Sequence, residues 1–324
     1  MKILVTGGAG YIGSHFVRYL ANNGHHPVVL DNLSRGHIES IPTEIPFEDV
    51  DIIDSDSVLD ALRNHEPSAV VHFAGYAYVG ESVEHPEIYY QNNVAGSLNL
   101  IRLCAQNGIK NFIFSSTCSI YGNPAHVPIS EEQPPNPINP YANTKLMIEM
   151  ILKDFESAFG MKHVALRYFN AAGADPSGLI GESHNPEPHL IPIILNVALG
   201  KRSKVSVYGN DYETPDGTCI RDYVHVNDLA AAHLKAVEYL NKGNSSSVIN
   251  LGTGRGNSVL EIIKKAEDIT KKKIPYDIVS RRPGDPAMLL ADNSKAKDLF
   301  NWAPEFAIDE IIQSAWHWHK KQKY

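Results

Sequence analysis

Cysteine is scarce in this chain. Cys104, Cys118 and Cys219 are odd in number, far apart and never in a CxxC pair. That excludes a disulfide framework and favours a reducing, cytoplasmic compartment. Long apolar runs are also missing. None approaches the ~18 residues that a membrane span requires, and the opening Met1-Lys2-Ile3-Leu4-Val5-Thr6-Gly7 lacks the pattern of a signal peptide. Positive charge is in deficit: 29 Lys and Arg against 37 Asp and Glu give 29 − 37 = −8. No sequence-wide basic field for nucleic acid is therefore expected. The 15 histidines include His25-His26 and the pair His317 and His319, but neither is joined by cysteine or carboxylate at ligand spacing. No metal is expected on that basis.

What remains is an ordinary globular composition, 43% apolar and 20% charged over 324 residues, long enough for two domains. Short β-branched runs alternate with longer amphipathic stretches through the first half. Strands are predicted at Lys2–Thr6, Pro27–Asp31, Phe47–Val50, Ala69–Phe73, Asn111–Ser115 and His163–Tyr168. Helices are predicted at Tyr11–Asn23, Ser55–His65, His85–Asn107 and Asn139–Phe159. This alternation means an α/β fold, a doubly wound parallel sheet of the Rossmann type with helices on both faces. Residues 117–140 hold six prolines and read as a long loop after the fifth strand, where ligands bind in such sheets. From Ala171 to about Asn227, turns surround one helix near Leu190–Leu199. A helix at Asn227–Leu240 and a strand at Ser247–Leu251 then return to the sheet. The expected division is residues 1–170 with 227–255 as a dinucleotide-binding domain, and 171–226 with 256–324 as a smaller C-terminal substrate lobe.

The first strand runs into Gly7-Gly8-Ala9-Gly10-Tyr11-Ile12-Gly13. Gly7 allows a sharp turn, Gly10 lets backbone approach a pyrophosphate, and Gly13 lets the helix pack close to the strand. The helix N-terminus then presents N–H groups to the phosphates. Eighteen residues past Gly13, the second strand ends in Asp31-Asn32. An acid there accepts hydrogen bonds from the adenosine ribose and repels a 2′-phosphate, so NAD is expected over NADP.

Tyr141 and Lys145 stand four apart at the start of a predicted helix, on one face and ~6 Å from one another. A phenol is a weak base at neutral pH. A neighbouring ammonium and the positive nicotinamide ring favour its ionised form. Tyr141 is thus a candidate general base for oxidation of an alcohol, with Lys145 also in reach of the nicotinamide ribose. Ser115-Ser116-Thr117 ends the fifth strand and offers a hydroxyl to share the substrate's proton.

The order Thr6-Gly7-x-x-Gly10-x-x-Gly13, Ser115-Ser116-Thr117, Tyr141-x-x-x-Lys145 resembles the extended short-chain dehydrogenases/reductases. Longer stretches resemble the members that act on UDP-hexoses. Among them are His72-Phe73-Ala74-Gly75, Val79-Gly80-Glu81-Ser82, Leu166-Arg167-Tyr168-Phe169-Asn170, Cys219-Ile220-Arg221-Asp222-Tyr223 and Arg282-Pro283-Gly284-Asp285. The resemblance spans nearly the whole chain. It implies NAD-dependent inversion at C4 of a UDP-hexose through a 4-keto intermediate, and a homodimer joined through the helices near 85–107 and 139–159. It implies Thr117, Tyr141 and Lys145 as catalytic residues. Asp31, Asn32, Asp51, Ile52, Phe73, Ala74, Gly75, Asn92, Ser115 and Tyr168 would contact the cofactor, with Tyr11 and Ile12 of the glycine loop. Asn170, His189, Leu190, Tyr208, Arg221, Arg282, Asp285 and Leu289 would line the UDP-sugar site. Arg281 beside Arg282 reads as a surface ion pair. Two positions depart from the family pattern: Ala77, where some members carry lysine near the nicotinamide, and His189, where some carry asparagine. Sugar-nucleotide dehydratases of the family place Asp-Glu directly after the catalytic Thr. Here those positions are Cys118 and Ser119, which argues against elimination of water. In the family, the position of Leu289 borders the sugar's C2 substituent. A leucine there predicts room for N-acetylated sugars as well.

Overall fold

A computed structural model describes residues 1–282 and 285–324. Pro283 and Gly284 of the Arg-Pro-Gly-Asp motif lie outside the described residues. In chain order the first half contains β1 (Lys2–Thr6), α1 (Tyr11–Asn22), β2 (His26–Asp31), β3 (Phe47–Asp49), α2 (Ser55–His65), β4 (Ala69–His72), α3 (Val79–Glu84), α4 (Pro86–Tyr89), α5 (Gly96–Gln106), β5 (Asn111–Thr117), α6 (Pro140–Phe159) and β6 (Lys162–Tyr168). The second half contains β7 (Asn170–Ala172), α7 (Leu190–Ala198), β8 (Val205–Tyr208), β9 (Ile220–His225), α8 (Val226–Asn241), β10 (Ser247–Leu251), β11 (Gly256–Ser258), α9 (Val259–Thr270), β12 (Tyr276–Val279), β13 (Met288–Leu289), α10 (Ser294–Phe300) and α11 (Ile308–Lys320).

Seven strands form one parallel sheet in the order β10-β6-β5-β4-β1-β2-β3. Its strands are apolar on both faces because both are covered. Ile3, Val5, Val29, Val71 and Ile113 face a core closed by Phe16, Val17 and Leu20 of α1 and Leu229 and Val237 of α8. Leu4, Leu30, Val70, Phe112 and Phe114 face the opposite core, with Val58 of α2, Leu100 of α5 and Ile148 of α6. The order reverses between β4 and β1, so a crevice opens there at the carboxyl ends of the strands.

β7, β9, β11 and β13 build a second, four-stranded sheet, and β8 pairs with β12. Ile191, Ile194 and Leu195 of α7, Val205 and Val207 of β8, Ile262 of α9 and Ile311 of α11 form a separate core. β10 returns to the edge of the large sheet. So does more of the tail than the expected boundary at 256 allows: Ala296, Phe300 and Trp302 pack into the core of the large sheet. Trp302 Nε1 donates to the Asp228 carbonyl at 3.0 Å, and burial of that ring fixes the segment there.

Two further differences from expectation concern helices. The stretch 85–107 is not one regular helix, because a π-helical turn at Tyr90–Ala95 separates α4 from α5. The short helix α3 precedes it, unpredicted. β5 runs two residues beyond Ser115, since Ser116 and Thr117 pair with Arg167 and Tyr168 of β6.

Candidate active site

The glycine loop shows why it must be glycine. Gly7 has φ +69°, and a Cβ there would stand 2.4 Å from the Ala74 nitrogen. A Cβ on Gly13 would stand 2.1 Å from the Gly7 carbonyl oxygen. Gly10 is the N-cap of α1 and provides no side-chain cap. The N–H groups of the first helical turn are thus left without intrahelical or capping partners, the arrangement that receives a phosphate.

In front of this turn lies a cleft of about 100 Å³ whose lining includes Gly7, Gly10, Asp31, Asn32, Ile52, Phe73, Ala74, Gly75 and Asn92. The Asp31 carboxylate accepts from Ala9 N–H and Leu33 N–H, both at 2.9 Å. Burial pushes its pKa up, opposed by those two bonds. Each oxygen keeps a free lone pair. Asp51 stands behind Asn32, accepting from its Nδ2 at 2.9 Å. The residues present therefore fit a dinucleotide: bare helix N–H groups for the pyrophosphate and a buried acid at the end of β2 for a ribose. Tyr11 differs from expectation in its side chain. Its hydroxyl donates to the Gly173 carbonyl at 2.7 Å, tying α1 to the second lobe, so only its backbone faces the phosphate position.

Arg35 is a cleft residue that sequence reasoning missed. Its Nη2 donates to both oxygens of the Glu81 carboxylate, at 2.7 and 2.8 Å. Its guanidinium carbon stands 4.8 and 4.5 Å from the Tyr76 and Tyr78 ring centroids. No motif marks it, since its partners come from a distant helix.

At the other end of the crevice, Asn139-Pro140 starts α6. The Asn139 side chain accepts from Ala142 N–H at 2.8 Å, and Pro140 occupies the first turn. This places Tyr141 and Lys145 on one buried face. Lys145 Nζ donates to the Ser115 carbonyl at 2.9 Å and lies 5.9 Å from the Tyr141 ring centroid. A Cβ on Gly75 would come within 3.6 Å of that ammonium, so Lys145 reaches the cleft wall. Burial lowers the Lys145 pKa to about 8, with Glu149 one turn on opposing the fall. The Tyr141 phenol is raised by burial and by Tyr168, while the Thr117 side chain beside it acts the other way. Among the protein's own groups, the environment thus favours the neutral phenol rather than the phenolate. The Ser115 hydroxyl is hydrogen-bonded to the Tyr168 phenol.

The expected UDP-sugar residues gather on the second lobe. Arg221 of β9 lies in register with Leu289 of β13. Its guanidinium donates to the Ile220 and Pro286 carbonyls at 2.9 Å and stands 3.4 Å from Asp285. Asn170 opens β7, which pairs with β9. Arg282 lies over the Tyr208 ring at 3.9 Å. Both arginines act on the Cys219 thiol, and Arg221 also on that of Cys118, next to Thr117. Leu289 packs against the small cluster of Cys118, Ile120, Tyr121, Ile129, Phe169 and Ala291, so this face adjoins the segment that follows β5. Leu190 begins α7. Arg281 forms an exposed pair with Asp211 at 2.7 Å. His189 is placed otherwise than expected: its Nδ1 faces the buried Glu182 carboxylate at 2.5 Å, in a cluster with His184 and Glu187.

The chain belongs to the NAD dependent epimerase/dehydratase family, whose sequence profile matches residues 3–252. Over its full length it is similar to UDP-glucose 4-epimerases. That of Rhizobium leguminosarum bv. trifolii is 49% identical, spanning 98% of this chain and 97% of its own. The crystal structure of the Brucella ovis UDP-glucose 4-epimerase in complex with NAD is 47% identical with a TM-score of 0.96, over 98% of both chains. The UDP-Glc/GlcNAc 4-epimerase of Campylobacter jejuni is 42% identical with a TM-score of 0.87, over 99% of both.

Proposed function

We propose that this protein interconverts the C4 epimers of UDP-hexoses by oxidising and re-reducing the same carbon, with NAD held in the cleft. The observation that carries the reading is the meeting of Tyr141 and Lys145 on α6 with Thr117 at the end of β5, between the cleft wall at Gly75 and the face around Arg221.

Bound NAD⁺ supplies a two-electron acceptor that returns the same electron pair to the carbon, together with a positive ring that favours the phenolate. Gly7, Gly10 and Gly13, with the N–H groups of Tyr11 and Ile12, hold its pyrophosphate. Asp31 takes the adenosine ribose, flanked by Asn32, Asp51 and Ile52. Phe73, Ala74, Gly75, Asn92, Ser115 and Tyr168 line the rest.

Tyr141 takes the proton of the sugar's 4-hydroxyl, Thr117 shares it, and Lys145 supplies the nearby positive charge. Arg221 and Arg282 grip the diphosphate as charged donors while the 4-keto sugar turns about that link and offers its other face. Asn170, Leu190, Tyr208 and Asp285 complete that site. Leu289 borders the sugar and leaves room for an N-acetyl group, so N-acetylhexosamine forms are also substrates. Elimination of water is disfavoured, because burial pushes the Cys118 thiol up to about 12, too weak an acid for that proton transfer.

No helix among the described residues is long and apolar enough to cross a membrane, and we place the enzyme in the cytoplasm. Exposed Leu98 on α5 and Met147 and Met150 on α6 support a homodimer through those helices. The reading is tested with purified protein and UDP-galactose, followed by NMR with no added reductant. Wild type equilibrates the C4 epimers, and Tyr141→Phe loses ~10²–10⁴-fold in rate while keeping bound NAD. Full activity in that variant overturns the base assignment.

A further inference from the structure

Between β7 and α7 the chain reads Glu182-Ser183-His184-Asn185-Pro186-Glu187-Pro188-His189. Glu182, His184, Glu187 and His189 each offer one ligand-type atom, and these atoms all lie within 4.8 Å of one another. His184 Nδ1 stands 3.2 Å from Glu182 Oε1 and 3.8 Å from Glu187 Oε2. His189 Nδ1 stands 2.5 Å from Glu182 Oε1 and 3.3 Å from Glu187 Oε1. Yet Glu182 Oε1 and both Nδ1 atoms, all shut off from solvent, make no aligned hydrogen bond. The Glu182 side chain is only 4% exposed. Polar atoms this close that do not point along one another's bond axes converge on a shared space instead.

We propose that Glu182, His184, Glu187 and His189 form a structural site for a divalent transition ion, with zinc the best fit. Zinc takes imidazole nitrogen and carboxylate oxygen at ~2.0–2.2 Å in tetrahedral geometry. Neighbouring ligand atoms then stand ~3.3–3.6 Å apart by that geometry, close to the His184–Glu182 and His189–Glu187 contacts here. The His189–Glu182 contact opens as the ion enters. Two carboxylates neutralise a divalent charge. Four protein ligands leave no open position, the mark of a structural site. Magnesium and calcium are poor fits, since they demand more ligands and prefer oxygen throughout.

The frame around the four is fixed. The Glu182 carbonyl accepts from Trp318 Nε1 at 2.8 Å, and the Ser183 hydroxyl donates to the Tyr324 carbonyl at 2.9 Å. The His184 ring meets Tyr11 and Tyr78 edge-on, with centroids 6.2 and 5.8 Å away. A cavity of about 430 Å³, lined by His184, Glu187, Lys201, Arg202 and His319, gives an ion a way in. Such an ion would close the loop ahead of α7 on itself, its four ligands all falling between Glu182 and His189.

The experiment treats the purified NAD-containing protein with chelator, then titrates it with zinc chloride and with cobalt chloride. Wild type is expected to take up one ion per chain. The cobalt form should show the strong visible absorption of four-coordinate cobalt, and zinc should raise the melting temperature. Glu187→Gln and His184→Ala should each weaken binding by more than the ~10–100-fold that loss of an outer-shell partner costs. The alternative, two protonated imidazoles facing two carboxylates, binds no ion. No stoichiometric uptake by wild type overturns the proposal, as does uptake that both variants retain unchanged. The wild-type titration decides the matter even if a variant fails to fold.

Discussion

Arg167 grips Glu149 through the Nε and Nη2 edge of its guanidinium, at 3.0 and 2.5 Å, directly beneath the helix face that carries Lys145. Both side chains are under 8% exposed. The pair is also shared: Ser116 donates to Glu149 at 2.5 Å, and Arg167 donates to the Tyr121 hydroxyl at 2.9 Å. It thus locks β5, β6 and α6 into one geometry under the site. A buried pair contributes little net, but losing one partner strands a charge. Glu149→Ala should therefore cost ~3–5 kcal/mol of folding stability, read from urea unfolding. Glu149→Leu combined with Arg167→Met should cost less than either single change. Additive losses would show that the charges are not coupled.

Lys145, with its pKa lowered to about 8 by burial, is charged below pH 8 and loses its charge as the pH rises through that value. While charged, it favours the Tyr141 phenolate. Lys145→Met should raise the phenol's pKa and move the acidic limb of the pH–rate profile upward by about one unit or more. An unmoved limb, in a variant that still holds NAD, would remove the lysine from this role.

Leu289 lies opposite Arg221 and packs against the cluster that contains Cys118 and Phe169. A larger side chain here would press on the space for the sugar rather than on bulk solvent. Leu289→Tyr should keep turnover of UDP-galactose and reduce that of UDP-N-acetylgalactosamine by ~10-fold or more, since steric changes of this size are worth ~1–3 kcal/mol. Parallel kinetics on the two sugars would measure this. Equal rates on both in the tyrosine variant would clear Leu289 of the gating role.

Burial holds four histidines neutral: His15 and His233 are lowered to about 4, His72 and His225 to about 3. The unfolded chain binds these protons near pH ~6.5, whereas the folded chain refuses them until the pH is far lower. The stability contributed by these four should thus be full above pH ~6.5 and fall as the pH drops towards about 4, while His184 and His189, raised to about 9 and 10 by Glu182 and Glu187, work in the opposite direction. Each group contributes up to ~1.4 kcal/mol per pH unit within that window. Asp228, held up to about 6 by burial, works in the opposite direction. Urea unfolding at pH 7, 6 and 5 should show this slope, and His233→Gln should reduce it by up to about one proton. A slope identical to wild type would mean that His233 is protonated in the fold.

Much of this was legible where a local pattern carries the structure. β1 and β10 were placed residue for residue, because buried apolar runs flanked by turns leave few alternatives. The Tyr141–Lys145 face followed from helical spacing. The π-helical turn at Tyr90–Ala95 was not legible, since one extra residue per turn leaves no mark in composition. β7, β9 and β13 owe their pairing to residues 50 or more positions away. β12 is exposed along its whole length, so it offers no burial pattern to read. The Glu182–His189 cluster was overlooked because a proline-broken loop, not a helix or a paired-cysteine spacing, brings its side chains together.

Ile129 has a further consequence. Its N–H donates to the Leu290 carbonyl at 2.8 Å, while its own carbonyl accepts from Asp292 N–H at 2.9 Å and from Asn250 Nδ2 at 2.9 Å. The loop after Thr117, the strand bearing Leu289 and the outermost strand of the large sheet are thereby sewn together at one residue. A ketone formed in this chamber is enclosed on that side by a seam rather than a hinged flap. Parting that wall would require two backbone bonds and one side-chain bond to break together, so the sugar must turn within walls that do not yield on that side.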